Sequence, residues 1–376
     1  MAGIYLHIPF CKQACTYCNF HFSTTFQLRK ALLSALEREI FLTAKAIAIV
    51  PPIETIYFGG GTPSLLLPAE VESILNTIKQ LYPVSELAEI TLEANPDDVT
   101  EVNLLTWKNM GINRFSLGVQ SFNEAELKWM NRAHNASESM QSIEAIIAAG
   151  FQNFSIDLIY GSPLLSNEDF RRNLEIVTHK NIPHLSAYAL TVEPNTALNA
   201  LIKSGKIKAV DEVRQAEQFD ILVSMMTDAG YEQYEISNFA KPGFRSKHNS
   251  SYWQGKPYFG FGPSAHSYDG ENKRRWNVAN NAMYIKSIEQ DLIPYEEETL
   301  TTTQQLNERI MIGLRTIEGI QLNEITRKYG EEHSASIVTK AGKYLEVNKL
   351  KFKNSNLILT EQGKFFADGI AADLFF

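Results

Sequence analysis

The sequence is poor in cysteine, with three thiols in 376 residues. An odd number of cysteines cannot pair off completely, so we expect no disulfide framework and a reducing compartment. The apolar runs are too short and too interrupted to cross a bilayer, which takes about 20 apolar residues. The first ten residues, MAGIYLHIPF, lack the basic segment and the cleavage site of a signal peptide. These absences predict a cytoplasmic protein.

Positive charge is in slight deficit. Lys and Arg total 35 against 43 Asp and Glu, which gives a formal net charge of −8. Because broad binding to a phosphate backbone requires a basic face, this balance argues against nucleic acid as a partner. Apolar residues make up 44% of the chain and charged residues 21%, as is ordinary for a globular protein with a sizeable core.

Short β-rich runs alternate with amphipathic helical patterns in residues 1–200, which we interpret as the first domain. Six such units predict an α/β fold, in which helical crossovers join the strands of a parallel sheet. A complete eight-stranded TIM barrel takes about 250 residues. We therefore predict an incomplete, TIM-like (β/α)6 barrel, with a flat doubly wound sheet as the alternative. The six runs are GIYLHIPF, ETIYFGGGTP, EITLEANP, RFSLGVQS, FSIDLIYGSP and LSAYALTVEP.

Capping residues predict the ends of three helices in this region. Pro68 suits a first helical turn. Ser166 and Asp169 have the spacing of a capping box. Ser137 is the expected N-cap of a helix that stops at Gly150.

Two further regions follow residue 200. Residues 201–300, the connecting region, open with a helical pattern at 211–230 and continue with an aromatic, glycine-rich stretch of little periodicity. Residues 301–376 carry three helical patterns and then two β-rich runs separated by Asn354-Ser355-Asn356. Helices followed by a hairpin predict an α+β, winged-helix-like C-terminal domain.

All three cysteines lie directly after the first predicted strand. Cys11, Cys15 and Cys18 have the spacing C-x3-C-x2-C. Three thiolates on one short loop can bind three irons of a cubane [4Fe–4S] cluster and leave the fourth iron with an open coordination position. A Cys3His zinc site that includes His21 is an alternative, although four ligands within eleven residues would be cramped. Buried, inert thiols are a further alternative.

The stretch YLHIPFCKQACTYCNF resembles the cluster loop of radical S-adenosylmethionine (SAM) proteins, in which an aromatic residue such as Tyr17 usually precedes the third cysteine. The resemblance implies that the amino and carboxylate groups of SAM chelate the open iron. It implies that one electron from the cluster cleaves SAM into methionine and a 5′-deoxyadenosyl radical. A flavodoxin- or ferredoxin-type electron donor is therefore an expected partner.

The resemblance extends to residues after successive predicted strands. Consecutive glycines in FGGGTPS let backbone groups approach a ligand closely, and the segment is similar to the family motif that holds the SAM amino group. An Arg suits a carboxylate, and carboxylates suit ribose hydroxyls or an amino group. Taken alone, Glu93 and Asp157 could also be helix caps or members of structural ion pairs. The implied SAM contacts are Tyr5, Tyr17, Gly60, Gly61, Thr62, Glu93, Gln120, Arg132, Asp157 and, through its backbone, Ala189.

Within this family, the sequence resembles a branch that includes the oxygen-independent coproporphyrinogen III oxidases and the HemW-type haem chaperones. The oxidases typically continue the loop as C-x3-C-x2-C-x-C, whereas Phe20 occupies the fourth position here. The segment KHNSSYWQGKPYFGFGPSAHSY contains H-N-x-x-Y-W, the pattern through which the chaperones are thought to bind haem. Its members are His248, Asn249, Tyr252 and Trp253.

A neutral imidazole is a good axial ligand of haem iron, and flanking Tyr and Trp rings can pack on a porphyrin face. We therefore predict His248 as the iron ligand and His266, in PSAHSY, as its rival. The alternative is a His248 that is buried and hydrogen-bonded within an aromatic core.

The resemblance implies a haem chaperone that binds haem and delivers it to acceptor proteins, with peripheral membrane association through those acceptors. Oxidative decarboxylation of coproporphyrinogen III is the alternative activity, which Phe20 disfavours. We assign no catalytic residue, and the requirement for SAM cleavage stays open. A zinc-stabilised nucleic-acid-binding protein and a cluster-free SAM-dependent methyltransferase are disfavoured by the acidic charge and the cysteine loop, respectively.

Overall fold

The computed structural model describes residues 2–47 and 51–376. The strands are β1 (Ala2–Ile8), β2 (Ile53–Gly60), β3 (Val84–Ala94), β4 (Arg114–Gln120), β5 (Phe154–Tyr160), β6 (His184–Ala189), β7 (Glu232–Glu235), β8 (Asn238–Ala240), β9 (Tyr258–Phe261), β10 (His266–Tyr268), β11 (Lys273–Asn277), β12 (Tyr295–Thr299), β13 (Ile320–Gln321), β14 (Leu350–Lys353) and β15 (Asn356–Leu359). The helices are α1 (Arg29–Ala46), α2 (Pro68–Leu81), α3 (Glu101–Met110), α4 (Glu124–Trp129), α5 (Ala136–Ala148), α6 (Asn167–His179), α7 (Ala197–Lys203), α8 (Glu212–Asp228), α9 (Lys247–Trp253), α10 (Asn281–Ile288), α11 (Thr302–Arg315), α12 (Leu322–Tyr329), α13 (Glu331–Glu346), α14 (Glu361–Lys364) and α15 (Ala367–Leu374).

The main sheet has the order β12-β11-β10-β9-β1-β2-β3-β4-β5-β6-β8-β7. Strands β1 to β6 are the six predicted runs, and they are parallel and follow one another in sequence order. A doubly wound sheet would reverse its order at a switch point. Because β1 pairs with β9 and β6 pairs with β8 instead of with each other, the barrel remains open. The predicted incomplete (β/α)6 barrel is confirmed.

The core of the barrel lies between the sheet and its crossover helices. It joins buried residues of the strands to Leu36 of α1, Ile74 of α2, Leu104 of α3 and Phe170 of α6. Since helices cover the outer face, the apolar strand residues on that face are excluded from water, as the near-continuous apolar runs predict. None of the helices in residues 2–47 and 51–376 combines the length and the apolarity that crossing a bilayer requires.

The connecting region adds strands to both ends of this sheet, which the sequence did not predict. Strand β9 pairs in parallel with β1, and β10 to β12 continue the sheet in antiparallel fashion. Strands β7 and β8 extend it beyond β6. These strands have three to five residues each, which is too short for a period of two to stand out. Phe219, Phe261 and Tyr284 from this region join the barrel core.

Two of the three predicted helix starts are correct. Pro68 opens α2, and Ser166 caps α6 by accepting a hydrogen bond from the Asp169 backbone N–H. The expected cap Ser137 is wrong, because it lies inside α5, and Asn135 is the N-cap instead. Asn135 Oδ1 accepts from the Glu138 N–H at 2.9 Å, and Glu138 accepts from the Asn135 N–H at 2.8 Å. This reciprocal pair fixes the start two residues earlier.

The C-terminal region has its own small core, which contains Leu306, Ile310, Ile337 and Leu357. Helices α11, α12 and α13 precede the hairpin of β14 and β15, as predicted, and β13 adds a third strand to it. Asn354 and Ser355 both have positive φ and form the two-residue turn. Two short helices that were not predicted, α14 and α15, follow the hairpin.

Candidate functional site

The cysteine loop leaves β1 at the carboxyl end of the barrel strands, where α/β proteins place their chemistry. Hydrogen bonds hold the loop to neighbouring segments. The Thr16 N–H donates to the Met130 carbonyl at 3.1 Å, and Asn131 Nδ2 donates to the Ala14 carbonyl at 2.7 Å. Lys12 pairs with Asp97 at 2.6 Å. The loop is therefore fixed to the ends of β3 and α4 independently of any bound group.

The three thiols are free and half-buried. Burial raises the pKa of Cys11 to about 11, partly offset by a hydrogen bond from Thr62 Oγ1 at 3.6 Å, and burial also raises the pKa of Cys18. Arg132 Nη1 lies 3.3 Å from Cys15 Sγ. Metal binding would have to displace the thiol protons.

The zinc alternative required His21 beside the thiols. The structure instead places His21 in a different cavity, where its Nε2 bonds to Asn281 Oδ1 at 2.7 Å. Among residues 2–47 and 51–376, no three His, Cys, Asp or Glu side chains converge on a point that one metal ion could occupy. The ligands of a cubane bind separate irons and do not need such convergence.

A cavity of about 420 Å³ opens beside the cysteine loop, and we call it the thiol cavity. It brings together residues from the ends of β2, β3, β4, β5 and β6. Of the residues implied as cluster ligands or SAM contacts, its lining includes Cys11, Cys15, Tyr17, Cys18, Gly60, Gly61, Thr62, Glu93, Gln120, Arg132, Asp157 and Ala189.

Tyr5 is not among the residues that line the thiol cavity, and its role as a SAM contact stays a prediction. Its hydroxyl lies 3.2 Å from His7 Nδ1, and its ring stacks on Tyr57 with the centroids 6.1 Å apart. Tyr5 borders a second cavity, described below, because its side chain projects into the barrel from the middle of β1.

The glycines after β2 permit a close approach between two segments of the chain. A Cβ on Gly61 would lie 2.7 Å from the Phe10 carbonyl oxygen, and Gly60 has a φ of +109°. The Gly61 and Thr62 N–H groups donate to the carbonyls of Ile8 and Phe10. The sequence predicted an approach to a ligand, whereas the structure shows that these glycines also seat the β2 end against the start of the cysteine loop.

Glu93 and Asp157 are two half-buried carboxyl groups that line the thiol cavity. Burial, with a contribution from the charge of Asp157, raises the pKa of Glu93 to about 7, although Tyr57 Oη donates to it at 2.7 Å. Burial likewise raises the pKa of Asp157 to about 6, and Ser116 Oγ donates to it at 3.3 Å. Neither carboxyl group forms an ion pair with the described residues, although the charge of Arg114 partly offsets the raised pKa of both groups.

Arg132 lies on the other side of the cavity and has donor capacity to spare. Its Nη2 donates to Asn95 Oδ1 at 2.7 Å and to the Gly118 carbonyl at 2.8 Å. Its buried Nε has no hydrogen-bond partner among the described residues. Gln120, at the end of β4, has a φ of +65°, an uncommon conformation for a residue other than glycine.

Three residues of this wall escaped the sequence analysis, namely Asn95, Ser116 and Gly118. A Cβ on Gly118 would lie 3.2 Å from Arg132 Nη2, so glycine leaves room for the guanidinium. Asn95 follows Glu93 by two residues at the end of β3. This spacing could have predicted that both side chains lie on the same side of the sheet. Ser116 and Gly118 occupy alternate positions of β4, and the period of two could have placed them on the inner face.

The H-N-x-x-Y-W segment forms α9, and the role of His248 as an iron ligand stays a prediction. Only 1% of His248 is exposed. Its Nδ1 lies 2.8 Å from Thr55 Oγ1, and its Nε2 lies 2.8 Å from Tyr252 Oη. Burial lowers the pKa of His248 to about 3. Both ring nitrogens of His248 therefore have hydrogen-bond partners, which is the arrangement that the alternative of a buried histidine predicts.

The other members of the segment diverge. Trp253 borders a separate cavity, where Arg315 stacks on its ring at 5.6 Å, and Asn249 is half-buried on α9. Tyr252 and the rival histidine, His266, both border a cavity of about 810 Å³, which we call the aromatic cavity.

The aromatic cavity lies between the barrel, the β9–β10 segment and helices α11 and α12. Asn19 and Phe20 border both it and the thiol cavity, so the two are neighbours. Its aromatic lining is Tyr5, Phe20, Tyr252, Tyr258, Tyr268 and Tyr329, and its lining cations are Lys256, Arg274, Arg309 and Lys328.

The sequence profile of the Radical SAM superfamily matches residues 5–177, and that of the HemN C-terminal domain matches residues 300–366. The chain is 35% identical to the "Heme chaperone HemW" of Bacillus subtilis over 98% of both chains. It is 36% identical to the HemW of Escherichia coli over 70% of this chain and 69% of that protein.

The chain belongs to the HemW family of radical SAM proteins. The structure also resembles coproporphyrinogen III oxidase (HemN) from Escherichia coli, with a TM-score of 0.85 over 100% of this chain and 90% of that chain. At 22% identity, this likeness establishes the shared fold, including the C-terminal extension. Membership of the radical SAM superfamily implies that a [4Fe–4S] cluster and SAM are the cofactors.

Proposed function

We propose that Cys11, Cys15 and Cys18 bind the cluster and that the thiol cavity binds SAM. The fit of these groups is supported by the pair of half-buried carboxyl groups that form no ion pair with the described residues, and by the Arg132 Nε, which has no partner among them. Glu93 and Asp157 suit the positive charge and the hydroxyls of SAM, and Arg132 suits its carboxylate. Tyr17, Gly60, Gly61, Thr62, Gln120 and Ala189 complete the proposed SAM site.

When bound, the reduced cluster supplies the electron that cleaves SAM, and a flavodoxin- or ferredoxin-type protein is the proposed donor. The residues of the chain hold and orient SAM. Arg132 bridges Cys15 Sγ and the Gly118 carbonyl, so it ties the cysteine loop to the wall of the SAM site. Tyr57, which donates to Glu93, fixes the orientation of that carboxyl group.

The raised pKa of Glu93 predicts that SAM affinity depends on pH. Above a pH of about 7, Glu93 is ionised and attracts the sulfonium cation, whereas at lower pH it is protonated. Lowering the pH from 8 to 6 is expected to weaken SAM binding about tenfold, or 1.4 kcal/mol, in equilibrium dialysis of the cluster-loaded protein.

The Glu93→Gln variant is the matched control for this dependence, because the titration of SAM itself is the same for both proteins. The variant should bind SAM weakly at pH 8 and lose most of the difference between pH 8 and pH 6. An equal pH dependence in both proteins would contradict a role for Glu93 in binding SAM.

We propose that the protein is a haem chaperone, which binds haem in the aromatic cavity and delivers it to haem-requiring acceptor proteins. The observation that carries this proposal is the cavity of about 810 Å³, since ligand sites of this kind measure ~300–1,000 Å³. Its tyrosine rings can pack on a porphyrin face, and its lysines suit the propionates, whereas Arg274 and Arg309 are paired with Glu308 and Glu324. The names of the HemW relatives give independent support. We propose a cytoplasmic location, with membrane association only through acceptors.

The test is an anaerobic haem titration of the cluster-loaded protein. We expect saturation near one haem per chain. Ile312 borders the cavity from α11, so Ile312→Trp should fill part of it and weaken binding by about tenfold, since overpacking costs ~1–3 kcal/mol. The exposed neighbour Met311 provides the control, and Met311→Trp should leave binding unchanged. Equal binding by both variants would place haem elsewhere.

Coproporphyrinogen III oxidation is a second candidate, which the shared border of Asn19 and Phe20 favours. A porphyrinogen in the aromatic cavity would lie next to the thiol cavity, within reach of SAM chemistry. Anaerobic incubation with coproporphyrinogen III, SAM and a reductant tests this activity. A decarboxylated product that forms only with SAM would support the oxidase activity. Unchanged substrate would leave the haem chaperone as the proposed function.

A further inference from the structure

We propose that Phe20 forms a common wall of the haem site and the SAM site, so that each ligand strengthens the binding of the other. The inference rests on the proposed function, because it presumes that haem enters the aromatic cavity and that SAM enters the thiol cavity. Phe20 lies two residues after Cys18 and borders both cavities. One side chain is therefore placed to contact both ligands.

The side chain of Phe20 is 68% exposed, which makes it the most exposed aromatic side chain of the residues that the structure describes. A single exposed apolar residue is ordinary at a protein surface. Phe20 differs from such a residue because it stands at the border of two cavities of about 420 Å³ and 810 Å³, each of the size of a ligand site. A ligand in either cavity can cover part of the ring, and removal of that apolar area from water favours binding.

The backbone on either side of Phe20 is fixed. The carbonyl of His21 bonds to His7 Nε2 at 2.9 Å, and the backbone of Ser23 pairs with the segment that follows β1. On the other side, the proposed cluster ligand Cys18 precedes Phe20 by two residues. Because the chain is held at both ends of this short stretch, we expect the ligands to act on the side chain of Phe20 and not on its backbone.

The ring of Phe20 suits the face of a porphyrin. The other aromatic side chains described along the aromatic cavity are tyrosines and histidines, whose polar atoms require hydrogen-bond partners or water. A phenylalanine ring has no such requirement and can pack on a broad apolar plane in an offset or edge-on arrangement. Phe20 therefore gives up nothing when the macrocycle covers it.

A shared wall predicts that the coupling between haem and SAM is positive. Since the two ligands occupy different cavities, they do not compete for the same volume. The first ligand bears the entropic cost of ordering the Phe20 side chain, and the second ligand binds to a ring that is already ordered. Immobilisation of one side chain corresponds to roughly two- to tenfold in affinity, so we expect a coupling of about fivefold. Coupling is reciprocal, and haem must therefore tighten SAM binding by the same factor as SAM tightens haem binding.

The test measures both affinities in the full-length, cluster-loaded protein, with ferric haem and SAM as the probes. The cluster is kept oxidised, so that no electron is available to cleave SAM. Saturating SAM should tighten haem binding about fivefold in an anaerobic absorbance titration, and saturating haem should tighten SAM binding about fivefold in equilibrium dialysis. Phe20→Ala should bring both factors close to one while it retains its iron and sulfide. Phe20→Tyr, which keeps the ring, should preserve the coupling.

Phe26→Ala is the matched control. Phe26 is an exposed phenylalanine of the same segment, stacks on Phe10 and borders neither the aromatic cavity nor the thiol cavity. This variant should keep the fivefold coupling. A merely structural effect of Phe20→Ala would weaken the binding of each ligand without changing the factor by which one ligand strengthens the other.

Undiminished coupling in Phe20→Ala would overturn the inference and leave the proposed function standing. Haem and SAM that bind the wild-type protein independently, or that weaken each other, would do the same. A wild-type protein that binds no haem would overturn the proposed function and the inference together.

Discussion

Replacement of Cys15 by serine is expected to abolish the iron–sulfur absorbance of the anaerobically reconstituted protein. The chain has three cysteines, all on one loop, so no other thiol can take the place of the missing ligand. A serine hydroxyl is a much weaker acid and a poorer partner for iron than a thiolate. Iron, sulfide and visible absorbance should all fall to background.

Thr16→Ser is the matched control, since it changes a neighbouring residue of the same loop and keeps both the backbone bond to Met130 and a hydroxyl. This control should retain its full iron and sulfide content. A Cys15→Ser protein with a complete cluster would exclude the arrangement of three thiolates.

Glu39→Ala is expected to be among the most destabilising changes in the chain. Glu39 is fully buried in α1 and accepts hydrogen bonds from Tyr284 Oη at 2.6 Å, Asn277 Nδ2 at 2.6 Å and the Gly262 N–H at 2.8 Å. Each buried donor left without an acceptor costs about 1–3 kcal/mol, so we expect the free energy of unfolding to fall by about 3 kcal/mol. Chemical denaturation measures this difference.

Glu37→Ala is the control for this prediction, because Glu37 lies on the same helix with a single bond to Ser73 at the surface. It should be close to neutral. A Glu39→Ala protein that is no less stable than Glu37→Ala would show that the three donors find other partners. Because Gly262 begins the segment that leads to His266, loss of Glu39 should also loosen one border of the aromatic cavity.

The sequence predicted those parts of the fold that strong local signals determine. Six apolar runs became six parallel strands, and Pro68 and Ser166 marked helix starts, because each acts on adjacent backbone. The sequence analysis chose Ser137 instead of Asn135 as the N-cap, because Asn and Ser both cap helices well. Only the reciprocal hydrogen bonds with Glu138 identify Asn135 as the N-cap. Strands β7 to β12 were missed because pairing with distant strands, rather than their own pattern, makes them strands.

The sequence predicted which residues form the site better than it predicted how they are arranged. Residues after successive strands gather at one end of a barrel, and the thiol cavity follows that rule. Tyr5, in the middle of β1, borders the aromatic cavity instead. Burial of His248 depends on Thr55 and Glu89, which are distant in sequence, whereas the spacing of His248 and Tyr252 by one turn could have predicted their contact.

The pairing of β1 with β9 has a consequence for the order of assembly during synthesis. Strand β1 can join β2 once residue 60 is made, but its other edge waits for Tyr258, about 200 residues later. At ribosomal speeds of ~5–20 residues per second, that edge stays unpaired for roughly 10–40 s. An unpaired strand edge is prone to mispairing. The loop that carries all the thiols begins where β1 ends, so we expect cluster insertion to wait at least until β9 has been synthesised.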